Sequence, residues 1–269
     1  MIDKKNDLQA EGENFLKWDF FKNPSVISDL INPVQKTVKK LIKKSKKDLR
    51  IIDLGTGTGI IIKNIKQKIE SQENNKLYNL IFYGVDCLDE LIKKNQEEAP
   101  DIKWICSDNK NLPFRDQSFD IVVMRNTLHY EENYENQKKV ICEAYRILKY
   151  SGYIIDFQSC FPTLLETNLI RNIYSVLPKA IKMQTISEFK TLHKTIFGNV
   201  KLLSNPNSRN LLVSKDLLTK RYMTKLEQLE IIRNKILDIP EKNRPNFHIS
   251  EKDFWFTIPQ RIVKCQKIK

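Results

Sequence analysis

The chain has 269 residues, enough for one large α/β domain or a domain with a small cap, but not for two full independent domains. Its 46 Lys+Arg against 33 Asp+Glu leave a formal net charge of +13, which permits contact with phosphates or an anionic membrane surface. The lysines accompany abundant Asn and Ile and only 7 Gly, a usage that an AT-rich coding sequence also produces, so charge alone assigns no nucleic-acid partner.

From Trp18 to Lys47 the apolar residues Val26, Ile27, Leu30, Ile31, Val34, Val38, Leu41 and Ile42 fall three or four apart, which predicts helices with one buried face. Residues 1–48 are therefore expected to form a helical lead-in or lid. Arg50 to Leu54 is a short branched-apolar run closed by Gly55-Thr56-Gly57-Thr58-Gly59, a buried strand running into a tight turn. A helix to about Glu70 follows, then a strand at Leu80 to Val85, a helix at Asp89 to Glu98, and strands at Ile102 to Ile105 and Phe119 to Met124. The stripe Val140, Ile141, Ala144, Ile147, Leu148 predicts a helix over Tyr134 to Lys149, and Ser151-Gly152 turns the chain into a strand at Tyr153 to Phe157. Strands alternating with helices predict a mostly parallel sheet covered on both faces. After Pro162 come helices broken by Pro178 and a strand at Asn199 to Leu203. Residues 205–250 are polar and helix-forming, with Leu217, Leu218, Leu226, Leu229 and Ile232 on an apolar face, and are expected to be a helical cap inserted before a last strand, Phe254 to Val263. The expected division is 1–48 lead-in, 49–204 core, 205–250 cap and 251–269 the strand that completes the core.

Cys87, Cys106, Cys142, Cys160 and Cys265 form no C-x-x-C pair, so no zinc knuckle, redox motif or other metal site is expected, and a reduced, cytoplasmic setting fits them. The amino terminus has acidic residues and no apolar h-region, and nowhere do about 18 consecutive apolar residues occur to span a bilayer.

In an open parallel sheet a ligand sits at the carboxyl ends of the strands, so the turn after the first strand is the first place to seek chemistry. Gly55, Gly57 and Gly59 let the backbone approach a ligand closely, Thr56 lies between them, and the following helix presents free N–H groups. Such a turn also serves nucleotides or plain structure. A dinucleotide site wants G-x-G-x-x-G with the pyrophosphate at the helix N-terminus. Here the spacing is G-x-G-x-G, and Asp53 would repel a pyrophosphate but suit the ammonium of a zwitterion, which favours an aminoacyl sulfonium over NAD. Asp86, closing Tyr83-Gly84-Val85-Asp86, can accept hydrogen bonds from ribose hydroxyls in either kind of site. Asp108 and Asn109 follow the third strand, where a carboxylate could take the exocyclic amine of adenine; the competing role is a turn residue or helix cap.

The blocks IIDLGTGTG, YGVD, SDNKNLPFRDQSFDIVVMRNTLHY and EAYRILKYSGYIIDF, from about Arg50 to Phe157, resemble class I S-adenosylmethionine-dependent methyltransferases of the methyltransferase-11 type. The resemblance implies a Rossmann-like seven-stranded sheet with an antiparallel last strand, S-adenosyl-L-methionine as cofactor and S-adenosyl-L-homocysteine as product. It implies that Asp53, Gly55, Gly57 and Gly59 hold the methionine end, Asp86 the ribose, and Asp108 with Asn109 the adenine. Cys87 stands beside the adenine, at a position more usually aliphatic or polar. Methyl transfer from a sulfonium mainly requires in-line placement and exclusion of water. The segment Arg125-Asn126-Thr127-Leu128-His129-Tyr130 after the fourth strand would face the sulfur, with Arg125 and Asn126 near the cofactor and His129 as a general base if the acceptor enters protonated. A loop histidine packing at the methionine end is the alternative for His129.

No Asp/Asn-Pro-Pro-aromatic motif occurs, which counts against exocyclic amines of nucleic-acid bases as acceptors. A small-molecule acceptor is the leading expectation, with RNA or protein as the alternative acceptor and a non-catalytic binding module as the alternative class. Phe15, Trp18, Phe20 and Phe21 of the lead-in would close over the site with the cap, whereas Met183, His193 and His248 fall in no interpretable pattern.

Overall fold

A computed structural model describes residues 24–43, 48–71, 79–177, 181–203, 211–222, 224–241, 247–250 and 253–269. Phe15, Trp18, Phe20, Phe21 and Pro178 lie outside the described residues. The strand β1 (Asp48–Leu54) buries Leu49 and Ile51 on one face and Ile52 and Leu54 on the other, which is why its sequence is apolar without alternation. It pairs in parallel with β2 (Asn79–Asp86) and with β4 (Phe119–Arg125). Outside β2 lies β3 (Lys103–Cys106), and outside β4 lies β5 (Leu148–Phe161), both parallel.

Beyond β5 the order continues with β11 (Gln260–Gln266), antiparallel to it, and then β7 (Lys201–Leu203). The path is β3-β2-β1-β4-β5-β11-β7, and the two-residue β6 (Gln184–Thr185) adds an eighth strand against the end of β5. This is the expected mostly parallel Rossmann-like sheet, one strand larger than expected.

One face is covered by α1 (Pro24–Ile42), α2 (Ile60–Glu70) and α3 (Asp89–Glu98); Leu30, Val34, Val38 and Leu41 of α1 form one buried stripe against Ile51, Ile121 and Ile155. The other face is covered by α4 (Tyr134–Ile147) and α6 (Ile186–Phe197) through Val140, Ile141, Ala144, Phe189 and Leu192. Fully burying each such side chain stabilises by about 1.5–3 kcal/mol, so α1 is an integral wall of the core.

The carboxy-terminal region departs from expectation twice. The expected strand Phe254 to Val263 is two strands. β10 (Phe254–Ile258) ends at Pro259, which has no N–H for a ladder, and β11 starts in a different sheet. β10 pairs antiparallel with β8 (Leu211–Ser214) and β9 (Phe247–Ile249), so the inserted segment is not helical throughout. Its helices are α7 (Lys215–Tyr222) and α8 (Leu226–Leu237). These strands are only three to five residues long, too short for period-2 alternation to stand out among the neighbouring polar residues. Phe254, Phe256 and Ile258 point into a third core shared with α8 and with Ile170, Ile173 and Tyr174 of α5 (Leu164–Tyr174). No helix among the described residues is long and apolar enough to cross a membrane.

Candidate active site

The turn after β1 is shaped by its glycines. Gly55, Gly57 and Gly59 hold φ of +70°, +54° and +71°, the left-handed region that a side chain strains to enter. A Cβ at Gly55 would stand 2.6 Å from the Thr127 side chain, and one at Gly59 would stand 2.5 Å from Trp104. Thr127 itself is fixed by donating its Oγ1–H to the Leu54 carbonyl at 3.0 Å.

Two carboxylates meet at this turn. Asp53 is buried at the end of β1 and accepts from Thr56 Oγ1 at 2.8 Å. Burial pushes its pKa up to about 7, opposed by the Thr56 bond, with Asp86 raising it further and Arg125 lowering it. Asp86 ends β2 and accepts the Gly57 N–H on Oδ2 at 2.8 Å and the Leu88 N–H on Oδ1 at 3.1 Å. The two strand ends are thus tied together by the acid that sequence reasoning places at the ribose.

Behind the turn lies a brace that sequence reasoning did not identify. Asn95 of α3, 1% exposed, donates Nδ2–H to the Gly57 carbonyl at 2.8 Å and accepts from Lys63 Nζ at 2.9 Å. Lys63 also donates to the Thr58 carbonyl at 3.2 Å and pairs with Glu98 at 2.7 Å. Trp104 of β3 fills the remaining space because Gly84 has no side chain; a Cβ there would fall 2.3 Å from its ring. The one legible signal was Gly84, a glycine inside a strand, which marks a close approach.

Asp108 sits apart from Asp53 and Asp86 in exposure: it is an exposed loop residue whose Oδ1 accepts from Lys110 N at 2.8 Å and Lys110 Nζ at 3.0 Å. Lys110 also pairs with Glu131 at 3.0 Å, linking the loop after β3 to the loop after β4. Asn109 is half-buried, with its Oδ1 enclosed and without a hydrogen-bond partner. Cys87 is exposed, and its carbonyl receives a weak contact from Cys106 Sγ at 3.7 Å.

After β4, Asn126 takes φ +51°, which asparagine tolerates better than most residues. Its Oδ1 accepts from Ser159 N at 2.9 Å and Ser159 Oγ at 3.0 Å, and Gln260 donates to Ser159 Oγ at 2.6 Å. Asn126 is therefore the keystone between β4, β5 and β11. Arg125 lies over the Phe157 ring, 5.7 Å from its centroid. His129 is buried in a short 3-10 turn, Leu128–Tyr130, against the Tyr130 ring at 4.3 Å. Lys182 N–H donates to the His129 carbonyl at 2.8 Å, and Gln137 Nε2 donates to the carbonyls of Leu128 at 3.0 Å and Lys182 at 3.2 Å. The turn is held from below by α4 and by the chain leading into β6.

His193 does not join this group. It is fully buried on α6, with Nδ1 2.9 Å from the Phe189 carbonyl and Nε2 3.1 Å from Asp156, a pair inside the core with no route to a substrate.

Residues 52–156 match the family model described as "Methyltransferase domain". The match spans β1 to β5, the strands that carry the glycine turn and the acids. A demethylmenaquinone methyltransferase of Thermotoga maritima is 27% identical over 106 residues, 39% of this chain and 42% of that protein. An uncharacterized protein of Methanocaldococcus jannaschii is 30% identical over 150 residues, 56% of this chain and 60% of its own length. The chain thus matches less than two thirds of the length of these relatives. Among solved structures, the YcgJ protein of Bacillus subtilis superposes with a TM-score of 0.69 at 17% identity, covering 87% of this chain and 99% of that one, which shows a shared fold.

Proposed function

We propose that the chain is a class I methyltransferase that moves a methyl group from S-adenosylmethionine to an O, N or C atom of a small-molecule acceptor and releases S-adenosylhomocysteine. The observation that carries this reading is the pair Asp53 and Asp86 on adjacent strand ends around the Gly55–Gly59 turn. The buried Asp53 carboxylate suits the ammonium of the methionine end, and Asp86, which accepts from Gly57 and Leu88, stands where ribose hydroxyls would reach it.

The residues present fit such a group on one count. The enclosed Asn109 Oδ1 has no hydrogen-bond partner among the described residues, as an acceptor reserved for an adenine amine would. Asp108 and Asn109 address the base with Cys87 beside it, while Gly57, Gly59, Thr56, Arg125 and Asn126 shape the methionine end. When bound, S-adenosylmethionine supplies an electrophilic methyl on a sulfonium. His129 takes the proton of an acceptor that enters protonated, and the rigid turn around it holds that acceptor in line. The helices α7 and α8 of the inserted segment close over the acceptor and exclude water. The demethylmenaquinone methyltransferase among the relatives supports a small organic acceptor. All five cysteines are free thiols, which supports a reduced, cytoplasmic setting.

Thermal unfolding with S-adenosylmethionine, S-adenosylhomocysteine or NAD tests the reading, since a ligand at about 100 times its dissociation constant adds roughly 2.7 kcal/mol. A shift with the first two alone is expected. No shift with either would leave a non-catalytic module, and a shift with NAD alone would mean a dinucleotide site.

A further inference from the structure

Part of the lysine charge on the described surface is paired. Lys63, Lys66, Lys93, Lys94, Lys110 and Lys149 each lie within 4.0 Å of a carboxylate. One face is different. Lys36, Lys39 and Lys40 of α1 and Lys43 just past its end are exposed and follow one another at helical spacing, so that Lys36, Lys40 and Lys43 succeed one another about 5–6 Å apart along one side. Next to Lys40 the sheet adds two more. Lys264 of β11 lies over the Tyr153 ring at 4.5 Å, Lys40 donates to the Tyr153 hydroxyl at 2.8 Å, and Lys201 is the cross-strand partner of Lys264. Among the described residues none of these lysines has a carboxylate within 4.0 Å. Burial, then Lys40 and then Lys201, push the Lys264 pKa down to about 8. Like charges have been gathered here without a counter-charge among the described residues.

We infer that this lysine face of α1, β11 and β7 binds the phosphodiester backbone of RNA. The face lies at the amino-terminal half of β5, around Tyr153, whereas Ser159, which joins the Asn126 keystone, lies toward its carboxyl end. It is therefore separate from the cofactor edge and the inference does not rest on the methyl-transfer reading. Lysine ammonium groups act as point charges and suit repeated, sequence-independent phosphate contacts better than directional recognition. A bilayer fits less well. The apolar residues Leu30, Val34, Val38 and Leu41 of α1 are consumed by the core, and its exposed positions from Asn32 on carry only Asn and Lys, so no apolar wedge is free to enter lipid.

The test is fluorescence polarisation of a labelled single-stranded RNA of about 20 nucleotides titrated with the full chain between about 50 and 200 mM KCl, each lysine–phosphate contact steepening log K against log[salt] by about 0.7. The Lys36→Gln/Lys39→Gln/Lys43→Gln variant is expected to bind about tenfold or more weakly at the low salt and to flatten the slope by about 2. The Lys66→Gln/Lys93→Gln/Lys94→Gln variant makes the same change in net charge and is expected to stay within about twofold of the parent. Both variants alter exposed or paired surface lysines, and an unchanged thermal shift with S-adenosylhomocysteine certifies the fold; failure of that shift in the parent bears on the methyl-transfer reading alone. If the triple variant does not fold, Lys36→Gln/Lys43→Gln is measured against Lys93→Gln/Lys94→Gln. The inference is overturned by absence of RNA binding at the low salt or by equal loss in the two variants. It is also overturned if phosphatidylserine-containing vesicles or polyglutamate compete RNA off at equal charge concentration.

Discussion

The carboxyl edge of the sheet and the lysine face of α1 are opposite in sign and alike in construction. At the edge, Asp53 and Asp86 are brought together on neighbouring strands, and burial first, then Asp86, push Asp53 up to about 7. On the other face, Lys264 stands among Lys40 and Lys201, and burial first, then those neighbours, push it down to about 8. Both groups are displaced toward losing their charge. Other lysines are interleaved with acids, as Lys66 is between Glu70 and Asp101. Charges of one sign gathered in two places carry an electrostatic cost there until a ligand of opposite sign comes.

The largest expected effect is at Asp53. Its folded pKa lies above the unfolded value of 3.8, so between about pH 4 and 7 the native state holds the extra proton and stability falls as pH rises through that window. Asp53→Asn removes the penalty while an amide oxygen can still accept from Thr56. The variant should gain on the order of 3 kcal/mol of unfolding free energy at about pH 8, with the gain vanishing near pH 4. In the same variant S-adenosylhomocysteine should bind on the order of 2–3 kcal/mol more weakly, read by calorimetry. A variant destabilised at about pH 8 would break the comparison at its acidic end.

Asp86 comes next. Asp86→Ala should weaken S-adenosylhomocysteine binding by about 2 kcal/mol through loss of a charge-assisted bond to ribose. It also frees the Gly57 and Leu88 N–H groups, so Asp86→Asn, which keeps one acceptor, sharpens the point by recovering part of the loss. Unchanged affinity in Asp86→Ala would sink the ribose assignment.

How far these two regions were legible in the sequence follows the same physics. Asp53 and Asp86 could be located because each ends an unbroken apolar strand, and the strand order of a parallel sheet brings such ends together. β1, β2, β4 and β5 were legible because each carries an apolar run of several residues bounded by turn residues, their helices because a 3.6-residue period survives over ten or more residues, and the four-residue β3 because of the strand–helix alternation around it. β8 and β9 were not, because three or four residues carry no period, and Pro259 was passed over as a break because apolar residues continue on both sides of it. Asn95 was hidden for another reason. Its role is a contact between α3 and the Gly57 carbonyl, 38 residues away, and nothing local distinguishes it from a surface asparagine. His193 was hidden likewise, since its partner Asp156 lies on a different element. The lysine face could not be separated from general lysine richness until the structure showed which lysines have acids beside them.

Asn95 offers a neutral control for the acidic edge. Asn95→Ala releases the Gly57 carbonyl and one Lys63 contact without changing charge, and should lower stability by about 1–2 kcal/mol. Because the brace positions the turn and does not titrate, the loss in S-adenosylhomocysteine affinity should be the same at about pH 6 and 8. A loss confined to one of these would mean that Asn95 acts through the ionisation of Asp53 or Asp86 and not by holding the turn.

The smallest expected effect closes the comparison at its basic end. The folded pKa of Lys264 lies below its unfolded value of 10.5, so the penalty for its charge is full below about pH 8 and is relieved as pH rises toward the unfolded value. Lys264→Met should therefore stabilise the ligand-free chain at about pH 7 and lose its advantage near pH 10 to 11. The side chain is only partly buried, and screening limits the gain to about 1 kcal/mol or less, a shift of a few degrees in Tm. RNA should then stabilise the parent more than the variant, because the lysine that costs stability alone is the one that gains a phosphate. Equal stabilisation of the two would leave Lys264 as a strained core residue and return the ligand to the exposed ridge of α1.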